Sequence, residues 1–397
     1  MTTMERTSTV DGLLEQIERI RPIIEEHAQQ GEVERRIAPQ VHDAVRAAGL
    51  LRIWVPRAFG GLEMHPAEGC KVIERLAEID GAVAWNLNQD IAVSTMATWF
   101  REAFDEVFAD PDAGFAGVFW PAGAATEVDG GFRVTATVRF ASNSQFAKWF
   151  LVPAIVMENG EPRIDPQTGG PDFLAVVIPM SEGRIHDRWR TMGMRATASN
   201  DVDVDDVFVP SHRAVRVFTM PSTKLAEVSG PLYGMVPWPG GLAHAAVPLG
   251  IARSAVNKLV KLAETKIPNF YETGLRDRQV AQSQAAEALA AVDSASAYIS
   301  STATAAYDQV AGGEPLMIED KCALQLAIAN AGSATLRAIG LVHQAAGTSS
   351  IRDEAGFEKL YRDASTIVQH AIIQTARFES VGRIMFGHEP DWFAFQL

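Results

Sequence analysis

The hydrophobic period of this chain changes twice, and that constrains its fold more than any other feature. From about Val10 to Val107 apolar residues recur at helical spacing, with Leu13, Leu14, Ile17, Ile20, Ile23 and Ile24 in one stripe and Ile37, Val41, Val45 and Leu50 in another. Near Gly114 the period shortens to two. Val134, Ala136 and Val138 alternate with Arg133, Thr135, Thr137 and Arg139, as in a strand with one buried face. After Phe218 helical spacing returns and persists. A helix-period segment does not settle into a sheet, nor a strand-period segment into a helix. The chain is therefore expected to be α+β in three blocks: a helical domain over 1–112, a β-barrel-like domain over 113–217, and a four-helix bundle over 218–397.

Within these blocks the punctuation is local. Trp54 to Gly61 breaks the first block with Pro56 and the pair Gly60-Gly61, and helix resumes over Pro66 to Asp80 and Ala82 to Trp99. Strands are expected at Gly114 to Phe119, Gly131 to Phe140, Trp149 to Val156, Phe173 to Ile178 and Val207 to Val209. The bundle helices are expected at Gly241 to Thr265, Asp277 to Ala311, Ile318 to Ala346 and Phe357 to Gly387, interrupted by Gly312-Gly313 and by Gly347-Thr348-Ser349-Ser350. Their alanine content suits close packing, between subunits as well as within one.

Composition excludes several function classes. At 397 residues and 47% hydrophobic the chain can bury a large core. A net charge of -14 with no Lys/Arg run argues against nucleic acid as a partner. Cys70 and Cys322 are too few and too far apart for a disulfide framework, and no His/Cys pair has metal-ligand spacing. Met1 to Asp11 carries no apolar leader and no apolar run reaches spanning length, so a reduced cytosol is the expected location.

Chemistry concentrates near the C-terminus. Leu360, Ala364, Ile367, Val368, Ala371 and Thr375 form an inward stripe on the expected last helix, and His370 lies on its flank with Asp363, Thr366 and Gln374. An imidazole at the edge of an apolar face exchanges a proton near neutral pH. Alone, such a histidine is more often structural. A second stretch, Phe140-Ala141-Ser142-Asn143, gives it weight.

These stretches belong to a wider pattern. Val55-Pro56-Arg57-Ala58-Phe59-Gly60-Gly61, Glu74 to Gly81, Gly193-Met194-Arg195-Ala196-Thr197-Ala198-Ser199, Val207-Phe208-Val209-Pro210, and Gln344, Gly347 and Arg362-Asp363-Ala364 resemble, in that order, the motifs of the acyl-CoA dehydrogenase family. The resemblance covers nearly the whole chain and implies that family's fold. Its dehydrogenases need a carboxylate base to remove a weakly acidic C–H proton. Here Ala371 stands at the usual position and Gly240-Gly241 at the alternative one.

A histidine six residues past Arg362-Asp363-Ala364, together with Phe140-Ala141-Ser142-Asn143 followed by Ala147-Lys148-Trp149, is instead similar to the two-component flavin-dependent monooxygenases built on this fold. That resemblance implies an oxygenase component using reduced FMN or FAD, with FMN slightly preferred. A separate NAD(P)H-dependent reductase would supply the flavin, and O2 would react through a flavin C4a-hydroperoxide to hydroxylate an aromatic or heteroaromatic small molecule. It further implies a homotetramer, with His370 as acid/base and Ser142 as a hydrogen-bond donor to the flavin.

Further candidates are Phe140, Asn143, Gln344, Gly347 and Thr348 for the flavin, and Trp85, Asn88, Trp120, Trp238 and His244 for the substrate pocket. The aromatic residues are equally explained as core, His244, Asn88 and Asn143 are more often ordinary polar residues, and the Gln344 to Thr348 turn also reads as a helix C-cap. The FAD-retaining "RxxFGxxxxxxQ" segment is not recognisable around Thr273 to Arg278, and no Gly-rich dinucleotide fingerprint marks a reductase domain. An acyl-CoA dehydrogenase-like FAD oxidoreductase, an N- or S-oxidising monooxygenase and a non-catalytic helical oligomer remain as alternatives.

Overall fold

The structure is a computed structural model that describes residues 9–110, 112–219, 228 and 230–397. Of the N-terminal stretch read for a leader, residues 1–8 lie outside the described residues. No described helix is long and apolar enough to cross a membrane.

The first block contains α1 (Val10–Glu34), α2 (Pro39–Ala47), α3 (Pro66–Ile79), α4 (Gly81–Ala97) and the single turn α5 (Phe104–Val107). Asp80 ends α3 and caps α4, its carboxylate accepting from the backbone N–H groups of Ala82 and Val83 at 2.8 and 3.0 Å. All 17 residues of α4 are buried, although it carries Asn86, Asn88, Gln89 and Asp90. A helix enclosed on every side is normally apolar throughout. Polar residues at these positions therefore need partners inside the protein.

The second block is one mixed sheet of β1 (Phe115–Gly117), β2 (Gly123–Val128), β3 (Gly131–Ala141), β4 (Trp149–Glu158), β5 (Glu161–Pro162), β6 (Phe173–Pro179), β7 (Arg184–His186), β8 (Asn200–Pro210) and β9 (Ala214–Arg216). Its order is β7-β8-β3-β2-β4-β6-β9, with β1 and β5 attached to β4. Only the pairs of β4 with β1 and β2 are parallel. Val134, Val138, Val152, Val176 and Val202 fill one face, whereas Leu151, Phe173 and Val177 pack the other face on Val93 and Met96 of α4. Burial on both sides explains why β4 reads as an unbroken apolar run. β8 is longer than the expected Val207 to Val209, because Val202 and Val204 already alternate with Asp201, Asp203 and Asp205.

The third block contains α6 (Trp238–Ala263), α7 (Gln279–Ala311), α8 (Ile318–Ala346), α9 (Phe357–Ile367) and α10 (Ala376–Met385). The expected final helix is not continuous. It stops at Ile367, runs through turns over 368–375 and restarts at Ala376. Ile367, Val368, Ile372, Ile373 and Thr375 are β-branched and weaken helix there. The buried Gln325 of α8 donates to the freed Ile372 carbonyl at 2.8 Å. The inward stripe ends accordingly: Ala371 and Thr375 are exposed and Ile373 takes the buried place.

Arg362 and Asp363 tie the three blocks together. Arg362 bonds Glu32 of α1 at 2.8 Å and also the Met192 carbonyl. Asp363 accepts from the Met194 N–H at 2.5 Å and from Lys359 at 2.7 Å, and Lys359 also reaches Asp80 at 3.4 Å. Burial opposes the Lys359 charge, but Asp80 and Asp363 outweigh it and hold the ammonium above its ordinary range. Gly193 is required at this contact, since a Cβ there would lie 2.2 Å from the Arg362 carbonyl oxygen.

Candidate active site

Three side chains from three separate stretches meet around one indole. Trp85 of α4 donates its Nε1–H to the Ser142 hydroxyl at 3.0 Å. Its ring stands edge-on to His244 of α6 at 4.8 Å and to His370 at 5.2 Å, with the two imidazoles 4.8 Å apart. The helix break places His370 here, in the turn anchored by Gln325. Gly240 and Gly241 let α6 approach: a Cβ on Gly240 would meet Ala92 of α4 at 2.9 Å, and one on Gly241 would meet Ile372 at 2.7 Å.

The two histidines differ in what holds them. His244 Nδ1 faces the Gly240 carbonyl and must donate to it, so Nε2 is the acceptor for the Gln89 amide at 2.8 Å. Burial lowers the His244 pKa to about 4, against the favourable Gly240 contact. Neither ring nitrogen of His370 has a hydrogen-bond partner among the described residues, and the residue is exposed. Desolvation by the groups packed around its ring, and then the neighbouring His244, push its pKa well below the ordinary imidazole value. His370 is therefore neutral at pH 7, whereas the sequence suggested proton exchange near neutrality. It has both nitrogens free for a ligand.

Ser142 sits at the end of β3, between Phe140 and Asn143, both non-glycine residues with positive φ (61° and 65°). Such strain persists where surroundings over-determine it. Asn143 supplies part of that support. Its amide donates to Asp90 Oδ2 and to the Phe115 carbonyl, each at 3.0 Å, so its donors serve the fold rather than a cofactor. Asp90 also accepts from the Phe115 N–H at 3.0 Å, and burial raises its pKa well above the usual carboxylate value despite these two bonds. The Ser142 hydroxyl meets that of Ser199 at 2.5 Å, because Ala141 pairs with Asn200 and the two serines continue that register.

Other candidates lie elsewhere. Phe140 is 66% exposed and stands edge-on to Trp189 at 6.1 Å. Trp120 is 62% exposed and packs on Phe393, and Trp238 is buried against Phe395. Asn88 has no accessible surface and its amide has no hydrogen-bond partner among the described residues. Gln344 bonds Gln284 at 2.7 Å, and Gly347 caps α8. Lys266 takes the Ala346 carbonyl and bonds Ser349 at 2.8 Å. The turn with Gly347 and Thr348 is thus a helix C-terminus presenting carbonyls, and the phosphate-binding N–H groups expected there are not its main feature. Sequence reasoning missed Gln89, Asp90 and the role of Ser199. The available signal was a run of polar residues, Asn86 to Asp90, on a helix with no polar face.

Comparison with known proteins fits this geometry. Residues 14–106 match the model of the acyl-CoA dehydrogenase N-terminal domain and residues 242–375 that of its C-terminal domain. The chain is 30% identical over 380 residues to indole-3-acetate monooxygenase of Pseudomonas putida, covering 92% of each protein. The chain belongs to the flavin-dependent monooxygenases of the acyl-CoA dehydrogenase family. This oxidoreductase is also 28% identical to the flavin-dependent monooxygenase oxygenase subunit HsaA of Mycobacterium tuberculosis, over 98% of this chain and 99% of that one. Its structure superposes on XiaF from Streptomyces, solved with FADH2 and glycerol, with TM-score 0.89 and 26% identity over 96% of this monooxygenase and 97% of XiaF.

Proposed function

We propose that this monooxygenase is the oxygenase component of a two-component system, hydroxylating an aromatic small molecule with reduced flavin and O2. The observation that carries the site assignment is the convergence of Ser142 and His370, from different blocks, on the two sides of Trp85. The residues suit a flavin ring. Ser142 lies in a buried turn flanked by two residues of positive φ, and His370 is exposed with two unengaged nitrogens. A bound reduced flavin supplies the electrons and, with O2, the transferred oxygen.

The chain's own residues then divide the work. Ser142 would contact the flavin ring near N5. His370, neutral at pH 7, would accept a proton from a substrate O–H or N–H, which grows more acidic as oxygen is added to its ring. His244, held neutral by Gly240 and Gln89, would form an uncharged wall beside it, and Trp85 would exclude water between the serine and the histidines. No carboxylate contacts either imidazole among the described residues; Asp90 is engaged by Phe115 and Asn143. This favours oxygenation over acyl-CoA dehydrogenation.

Because relatives are named as FADH2-dependent or solved with FADH2, reduced FAD is the preferred cofactor in this reading over the FMN expected from sequence. The name "oxygenase subunit" carried by HsaA supports a separate reductase. The test is His370→Ala supplied with reduced FAD, O2 and a panel of phenols and indoles. The variant is expected to consume reduced flavin while losing product at least ~100-fold, within the range for general acid–base catalysis. Product formation at the wild-type rate would overturn the assignment.

A further inference from the structure

The hydroxyl protons around Ser142 can be assigned from atom types alone. Thr197 Oγ1 lies 2.8 Å from the Met194 carbonyl, which only accepts, so the single Thr197 proton points there. The Ser199 hydroxyl, 2.7 Å from Thr197 Oγ1, must therefore donate to it. The Ser142–Ser199 contact at 2.5 Å is then a bond from Ser142 to Ser199. Trp85 Nε1–H, a donor only, completes the chain by donating to Ser142 at 3.0 Å. One direction runs throughout, from Trp85 through Ser142, Ser199 and Thr197 to the Met194 carbonyl. With its proton committed and one lone pair occupied, Ser142 has a single lone pair left.

We propose that Ser199 and Thr197 are positioning residues that fix Ser142 as a hydrogen-bond acceptor, so that the site favours reduced flavin, which carries a hydrogen at N5, over oxidised flavin, which presents a lone pair there. The inference rests on the flavin reading above and changes the role expected of Ser142 from donor to acceptor. The chain is buried, with Ser142, Thr197 and Ser199 each at most 4% exposed, so water does not scramble its direction. Ser142 could donate to oxidised flavin only by surrendering its bond to Ser199. The consequence suits an enzyme whose flavin arrives reduced and must leave oxidised to be reduced again.

The test is anaerobic titration of the full-length protein with reduced and with oxidised FAD and FMN, together with the midpoint potential of the bound flavin. Wild type is expected to bind reduced flavin at least about tenfold more tightly, raising the two-electron potential by about 30 mV or more over free flavin. Ser199→Ala and Thr197→Val each free the Ser142 proton and should lower that ratio by about tenfold, with the potential falling by about 30 mV. Thr197→Ser should restore it. Variants that weaken both redox states equally, with unchanged potential, would reduce these residues to a structural role and overturn the inference while leaving the flavin reading intact. A wild-type potential no higher than that of free flavin would also overturn it. Failure to bind flavin in either redox state would overturn both.

Discussion

His370 and His244 stand 4.8 Å apart with no carboxylate against either among the described residues, so burial and then His244 raise the cost of charging His370, and burial alone that of charging His244. Both are held below the ordinary imidazole pKa, and the sign of the effect on stability follows. Below about pH 6.5 the unfolded chain, with unperturbed imidazoles, binds more protons than the folded one. Stability is therefore complete above that pH and declines as pH falls toward about 4, where His244 titrates in the fold. Each pH unit of displacement is worth about 1.4 kcal/mol, so His244 alone accounts for ~3 kcal/mol over the interval. Urea unfolding at pH 7.5 and pH 5 should show a falling midpoint, and His244→Asn should flatten the dependence. An equally steep decline in that variant would place the titrating group elsewhere.

Helix α4 holds the site's geometry, and Asp90 is its most exacting residue. It anchors Asn143 and β1 from inside the protein, yet burial opposes its charge, so the hydrogen-bond acceptors matter more than the ionised state. Asp90→Asn keeps an oxygen for both donors and should cost ~1 kcal/mol or less, whereas Asp90→Ala strands the Phe115 N–H and the Asn143 amide and should cost ~2–4 kcal/mol. Chemical denaturation measures both; equal losses would refute the acceptor argument. Sequence periodicity placed the helices well, matching α8 at both ends, because long apolar stripes tolerate little else. It failed where tertiary contacts decide. The break at His370 needs Gln325 from another helix, β8 hides its alternation behind aspartates, and Gln89 becomes legible only once α6 is seen to cross it. Ser142, His370, Trp85 and His244 were legible as candidates, but the sequence does not encode the direction of their hydrogen bonds.

The three blocks are locked in place by Arg362 and Asp363, which together touch α1 and the Met192–Met194 loop, while Lys359 links Asp363 to the cap of α4. Site residues contributed by different blocks keep their spacing only if those blocks do not slide, and the charges paired at this junction oppose sliding: separating them would leave each unpaired. The outer face of the bundle is different. Val280, Leu289, Leu336, Tyr361, Met385 and Phe386 are exposed there, apolar side chains that burial between subunits would remove from water. A homotetramer burying this face is the expected assembly. Light scattering should give four times the 43.0 kDa chain mass, and charged substitutions at Leu336 and Met385 should lower it; a monomeric wild type would refute the assembly.

The interruption between α9 and α10 also bears on how such an enzyme changes over evolutionary time. In a continuous helix an inserted residue rotates everything beyond it by about 100°. Within turns 368–375 an insertion or deletion is absorbed locally, moving the imidazole by a few ångströms while both flanking helices keep their seats. Length variation at this one position is thus an inexpensive route to a different substrate geometry, and a site at which laboratory selection can act without first repairing the fold.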